Sequence, residues 1–107
     1  MVESRLKMLR EWRKHAEALA RAIKERLPRA EVYVIGGAAE GRLTALSDID
    51  ILIVIDEEPD WDRRIEIREK ALEAMDAAGI PPYYPFEIHI APKHEARKHL
   101  KHAIKLA

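Results

Sequence analysis

The chain has no cysteine, no asparagine and no glutamine among its 107 residues. Without cysteine there is no disulfide framework, no thiolate metal site and no cysteine nucleophile. Loss of both amides, with 36% of residues charged, is the bias of a protein from a hot environment. No apolar run approaches the roughly 18 residues that span a bilayer, and residues 1–10 have none of the marks of a signal peptide. The expectation is a cytoplasmic protein with no membrane partner. The formal net charge is zero, so the chain as a whole exerts no pull on nucleic acid. Its length suits one domain, residues 1–107, with one core and no room for a second substrate-binding domain.

The zero net charge conceals a division. Residues 1–30 carry nine Lys/Arg against four Asp/Glu, and residues 92–107 carry five against one. The middle, residues 31–91, carries five against fourteen. Basic ends around an acidic centre point to an acidic partner, a phosphate ligand or self-association into a homo-oligomer. The plain alternative is a set of solvated faces.

Hydrophobic periodicity sets out the elements. Leu6, Leu9, Trp12, Ala16, Leu19, Ile23 and Leu27 recur at spacings of three and four, which predicts a helix over 3–27 ended by Pro28. Glu31 to Ile35 reads as a short strand and Gly36 to Leu46 as a turn with room for one helical turn. Ser47 to Ile55 reads as a strand whose unbroken apolar half is buried on both faces, hence central. Asp60 is placed to cap a helix from Trp61 to about Ala78, with Gly79 as its C′ residue. Phe86 to Ile90 is a third strand. Pro92 is placed to start a basic helix running to about Lys105. The strand-helix-strand unit favours a parallel pairing of strands two and three. The short first connection favours an antiparallel pairing of strands one and two. The predicted fold is α/β, a small mixed sheet with flanking helices.

The chemistry concentrates between Gly36 and Asp50. In a strand, side chains at i and i+2 point the same way, so Asp48 and Asp50 are expected to share a face. Two carboxylates that close repel unless a positive charge separates them. Oxygen-only ligands suit Mg²⁺, which takes one or two protein carboxylates plus substrate phosphates. Gly36 and Gly37 let backbone N–H groups approach an anion. Acidic residues flanking a hydrophobic strand are the plain alternative.

The stretch from Val34-Ile35-Gly36-Gly37 through Ser47-Asp48-Ile49-Asp50-Ile51-Leu52-Ile53 resembles the signature of the DNA polymerase beta-like nucleotidyltransferase superfamily. That signature is a hydrophobic strand, Gly-Ser or Gly-Gly, about ten residues, then Asp-x-Asp in a second hydrophobic strand. The length and layout look like a minimal nucleotidyltransferase, and the resemblance covers essentially the whole chain. It implies that Gly36 and Gly37 line the triphosphate, with Ser47 grouped beside them; Arg42, late in the turn, could reach a phosphate, the plain alternative being a solvated turn arginine. It implies that Asp48 and Asp50 bind Mg²⁺. A third carboxylate from a later strand completes the set, and Glu87 in Phe86-Glu87-Ile88-His89-Ile90 is the best match. Three carboxylates then hold two metal ions. Asp56 competes for the third place, but it lies roughly 20 Å along the strand from Asp50. Many relatives have Ser where this chain has Gly37, so one phosphate contact is missing.

Other residues weigh less. His89 shares a face with Glu87 and reads as a partly buried sheet histidine or a partner of the carboxylates. His94, His99 and His102 read as a solvated helix face, although the last two have metal-pair spacing. Tyr83 and Tyr84 could stack on a base but are expected to pack on their own domain. The implied activity is Mg²⁺-dependent transfer of a nucleoside monophosphate, with ATP as the expected donor, to a hydroxyl acceptor. Minimal nucleotidyltransferases are often paired with small helical HEPN proteins as the antitoxins of toxin–antitoxin systems, so the resemblance implies such a partner. The rival is a nucleotide-binding protein that neutralises a helical partner without transfer. An Asp-x-Asp glycosyltransferase is a third reading that the short chain disfavours.

Overall fold

Ala16, Leu19, Ala20 and Ile23 form a buried stripe along one side of helix α1 (Trp12–Arg26). In the computed structural model, which describes residues 7–44 and 46–107, the expected helix over 3–27 is shorter. Residues 3–6, Leu6 among them, lie outside the described residues. Residues 7–9 are helical, but a turn at 10–11 separates them from α1. Glu11, at φ −104° and ψ 18°, leaves helical geometry there. The Met8 carbonyl accepts the Tyr84 hydroxyl at 2.9 Å, which ties this first turn to the far end of the chain's fold.

Three strands follow with short links: β1 (Glu31–Ile35), β2 (Ile49–Ile55) and β3 (Phe86–Pro92). Between β1 and β2 lies a single helical turn, α2 (Gly36–Ala39). Helix α3 (Trp61–Ala77) connects β2 to β3. Its ends are as the sequence predicts. The Asp60 carboxylate accepts the Arg63 backbone N–H at 2.8 Å, filling one of the donors that a helix start leaves bare. Gly79, at φ +70°, takes the left-handed conformation that terminates a helix cheaply only in glycine.

The sheet is four-stranded, in the order β3-β2-β1-β4, where β4 is Ile104–Lys105. β1 and β2 are antiparallel, and β2 and β3 are parallel, as expected from the connections. β2 is interior, and its residues 51–55 are all buried. Alternation along it divides the core. Ile49, Ile51, Ile53 and Ile55 pack towards α1 and α3, joined by Ile67, Ala71 and Met75. Leu52 and Val54 face the other way, where Ile35, Ala91 and Ala96 cover them. A side chain such as Ile53, fully buried at the sheet centre, is worth about 2–5 kcal/mol against alanine.

The C-terminal helix expected over 92–105 does not form. Lys93–Ala96 make one helical turn, α4, and Arg97–His99 a 3₁₀ turn. The chain then enters a fourth strand, β4 (Ile104–Lys105), antiparallel to β1. The physical reason is the open edge of β1. Its backbone groups need partners, and Val32 supplies and receives bonds from the chain end: Leu106 N–H to Val32 C=O at 2.8 Å, and Val32 N–H to Ala107 C=O at 3.0 Å. A helix over this crowded run of like charges would leave that edge bare.

Lys105 Nζ bonds Glu31 Oε2 at 2.9 Å across the β1–β4 pair. This bond, above all, holds the Glu31 carboxyl below its ordinary value, and it pushes the Lys105 amine up. A depressed carboxyl stabilises the fold above its unfolded pKa and loses that contribution as the pH falls through the folded one. A raised amine contributes below its unfolded value and loses this as the pH rises through the folded one. The β4 clasp is therefore expected to be tightest between the two and to loosen in acid. NMR shifts of the Ile104 and Leu106 amides should follow Glu31 in an acid titration. In Lys105→Ala the acid-linked movement should vanish; if it persists unchanged, another carboxylate governs the clasp.

Candidate functional site

The parallel register of β2 and β3 sets Asp50 directly beside Glu87. Alternation puts Glu87 and His89 on one face of β3, the face to which Asp50 projects from β2. His89 Nε2 stands 3.0 Å from Asp50 Oδ1 and 3.9 Å from Glu87 Oε1. One ligand atom from each of the three lies within 4.8 Å of the others. Glu87 is exposed, and Asp50 and His89 are partly buried. Carboxylates brought together in this way need a positive or proton-donating group between them. In the free chain the imidazole nitrogen occupies that position. Three convergent oxygen and nitrogen donors suit a divalent cation, so the residues present fit a divalent metal ion.

Gly36 presses on the same place. It begins α2 directly after β1, and Ile35 pairs with Asp50 across the β1–β2 ladder. Its φ is +69°, and a Cβ there would come within 2.6 Å of Asp50 Oδ2. Glycine is thus required twice over, for its backbone angle and for the room it leaves the carboxylate. Gly37 is less confined: an added Cβ would meet the Arg42 carbonyl at an ordinary 3.7 Å.

A cleft of about 640 Å³ opens over these residues. Gly36, Asp50 and His89 form its floor, and Lys98 and Lys101 stand in the wall contributed by the C-terminal segment. Arg64 and Arg68 of α3 also line it. Their guanidiniums reach the carbonyls of Ile90 and Ile88, at 3.2 and 3.1 Å, along the outer edge of β3. The cationic wall is a feature that motif reasoning missed. Its traces in the sequence are the i, i+4 spacing of Arg64 and Arg68 and the basic excess of the last sixteen residues.

Other expected residues fall elsewhere. Asp48 precedes the first residue of β2, is exposed, and is not a member of the Asp50–Glu87–His89 group. β2 begins at Ile49 rather than Ser47, and Ser47 bonds back to Thr44 instead: Ser47 N–H bonds Thr44 C=O, and Ser47 Oγ accepts the Thr44 N–H at 2.8 Å. Arg42 is held by Glu40 at 3.0 Å on the solvent side of the turn. Asp56 lies past the far end of β2, paired with Arg29 at 2.5 Å. His94 pairs with Glu58 at 2.9 Å. His99 and His102 line the cleft rim but not on a continuous helix. The two tyrosines part company: Tyr84 is 4% exposed, wedged between the His15 and Phe86 rings, and Tyr83 is 76% exposed. Burial pushes the Tyr84 hydroxyl up. Among the described residues no helix is long and apolar enough to cross a membrane.

The sequence profile of the nucleotidyltransferase domain family matches residues 16–106. The fold is similar to that of a crystal structure from Sulfolobus solfataricus described as a candidate nucleotidyltransferase. The two share 23% identity at a TM-score of 0.64, over 97% of this chain and 83% of the other. A second crystal structure with the same description is 28% identical at a TM-score of 0.56, over 81% of this chain and 91% of the other. No protein of curated function matches the chain.

Proposed function

We propose that this chain, which belongs to the nucleotidyltransferase domain family, transfers a nucleoside monophosphate from a triphosphate, ATP being the expected donor, to a hydroxyl acceptor with the aid of Mg²⁺. The observation that carries this reading is the register pairing Asp50 with Glu87, with Asp50 on the floor of a cleft that Lys98 and Lys101 also line. Magnesium supplies, when bound, positive charge that draws the triphosphate to the carboxylates, steadies the departing pyrophosphate and acidifies the attacking hydroxyl. Asp50 and Asp48 are assigned to the nucleotide-bound ion and Glu87 to a second one on the acceptor side. The backbone N–H groups of Gly36 and Gly37 bind phosphate oxygens. Lys98 and Lys101 neutralise the charge that enters the cleft. Arg42 and Ser47 can assist only by releasing Glu40 and Thr44.

The transfer itself balances simply. The acceptor oxygen forms a bond to the α-phosphorus as the bond to the pyrophosphate oxygen breaks, and the hydroxyl proton is lost. A domain of this size holds the nucleotide but offers the acceptor little wall of its own. A protein acceptor that brings its own surface fits this, and the family resemblance points to a helical HEPN-type partner and an antitoxin role. The rival reading, a binding protein without transfer, draws its support from Gly37 and from Asp48 standing outside the ligand group.

Glu87→Gln separates the two. Mg-ATP affinity is expected to stay within about threefold, because Asp50 and Asp48 remain, while transfer of labelled AMP falls by at least about a hundredfold. Radiolabelled ATP, Mg²⁺ and a small helical partner protein, resolved on a gel, measure this. Label transfer that survives Glu87→Gln removes this residue from the reaction. A wild-type chain that grips its partner but transfers no label is the binding protein instead.

A further inference from the structure

We infer that His89 is itself a cation ligand, and that the Asp50–Glu87–His89 end of the site takes a first-row transition ion such as Mn²⁺, Co²⁺ or Zn²⁺ in preference to Mg²⁺. The inference rests on the reading that Asp50 and Glu87 hold a divalent ion. It goes further by adding a nitrogen to the ligand set and by choosing the metal.

The geometry comes first. Two donors, each about 2.1 Å from a shared ion, stand about 3 Å apart when adjacent and about 4 Å apart when opposed. His89 Nε2 lies 3.0 Å from Asp50 Oδ1 and 3.9 Å from Glu87 Oε1. The nitrogen is thus already at ligand spacing from both carboxylates, on side chains that need only small rotations to converge. The backbone enforces this placement. Glu87 and His89 share a face by the two-residue strand repeat, and His89 is in register with Leu52, which is fully covered. From the neighbouring strand its Nε2 reaches hydrogen-bond distance of Asp50 Oδ1.

The chemistry then selects the ion. Mg²⁺ demands hard oxygen donors in near-octahedral array and gives up its water reluctantly. An imidazole nitrogen binds later first-row ions far better, whereas carboxylate sets alone discriminate weakly. Ligation by Nε2 needs the ring proton on Nδ1, the other nitrogen. Asp48, exposed and outside the group, is assigned to the oxygen-only side with a nucleotide-borne Mg²⁺. The two ion positions would then differ in kind.

The test uses the metals alone, without nucleotide. Calorimetric titration of the whole chain should show Mn²⁺ and Zn²⁺ binding at least about tenfold tighter than Mg²⁺. His89→Ala should erase that preference while leaving Mg²⁺ affinity within about threefold. His89→Gln can still donate a hydrogen bond to Asp50 but is a poor ligand, and it should behave like His89→Ala. With Zn²⁺, the imidazole nitrogen signals of His89 should shift before those of His94, His99 and His102. An unchanged preference in His89→Ala, or Zn²⁺ shifts confined to the other histidines, overturns the assignment. So does rescue by His89→Gln, which would make His89 a positioning residue. If neither Mg²⁺ nor Mn²⁺ binds the wild-type chain, or Asp50→Asn binds them equally well, the underlying metal site fails instead.

Discussion

Asp50→Asn is expected to abolish Mg²⁺-dependent triphosphate binding, a loss of at least about a hundredfold, in a chain that still folds. Asp50 is the common member of every arrangement at the site. It sits beside Glu87, bonds His89, and is the group that Gly36 makes room for. Its carboxylate is partly buried at 29% exposure, where a charge is screened less than at the surface. Removing one unit of charge next to a divalent ion removes several kcal/mol of attraction by order of magnitude, even at an effective dielectric constant of about 20. The fold loses little. The Asp50 backbone keeps its pairing to Ile35 and Glu87, and asparagine has the same shape. Relief of carboxylate repulsion in the metal-free chain should hold the melting temperature level or raise it. Asp48→Asn should be milder, because Asp48 is exposed and stands outside the ligand group. Calorimetry with Mg-ATP and a thermal melt measure both. Equal affinity in Asp50→Asn and the wild type would place the site elsewhere.

Replacing Gly36 by valine should be the next largest change. At φ +69° a β-branched residue is strained by about 1–3 kcal/mol. The new Cβ would also lie 2.6 Å from Asp50 Oδ2. A side chain that long can swing away, so the collision costs the site more than the fold: the carboxylate is driven off His89 and away from Glu87. Nucleotide affinity should fall by at least about tenfold, with a melting temperature lower by several degrees. Gly37→Ser is the control. Its Cβ would make only an ordinary contact with the Arg42 carbonyl, and a serine there resembles the commoner family pattern. Affinity should be kept or improved. A folded Gly36→Val chain that binds Mg-ATP like the wild type would remove the turn from the site.

Much of this was legible in the residues because the causes are local. The α3 helix announces both ends, with Asp60 capping the Arg63 amide and Gly79 turning left-handed, and neither depends on distant partners. The apolar run of β2 implied a strand covered on both faces, and β2 is interior. The crossover through α3 implied parallel pairing with β3, since a right-handed connection of that length leaves little choice. From those three facts Asp50 and Glu87 belong on neighbouring strands.

What remained was decided by partners that no local pattern names. The last residues carry helix-compatible composition, yet they form β4 because the bare edge of β1 offers hydrogen bonds that a solvated helix could not replace. Arg64 and Arg68 look like solvated helix residues, and only the lie of α3 against β3 turns them to the Ile90 and Ile88 carbonyls. Asp50 lies within β2 while Asp48 stands exposed just before it, next to Ser47, whose side chain accepts the Thr44 N–H. His89 joins the carboxylates because it shares a face with Glu87 and its strand lies beside the one that carries Asp50. Sequence alone determined the central elements, β2, α3 and β3, and the acidic motif, through caps, periods and crossover length. Tertiary structure decided the register, and with it which side chains meet, because a strand's neighbours are chosen by the edges left unpaired across the whole fold.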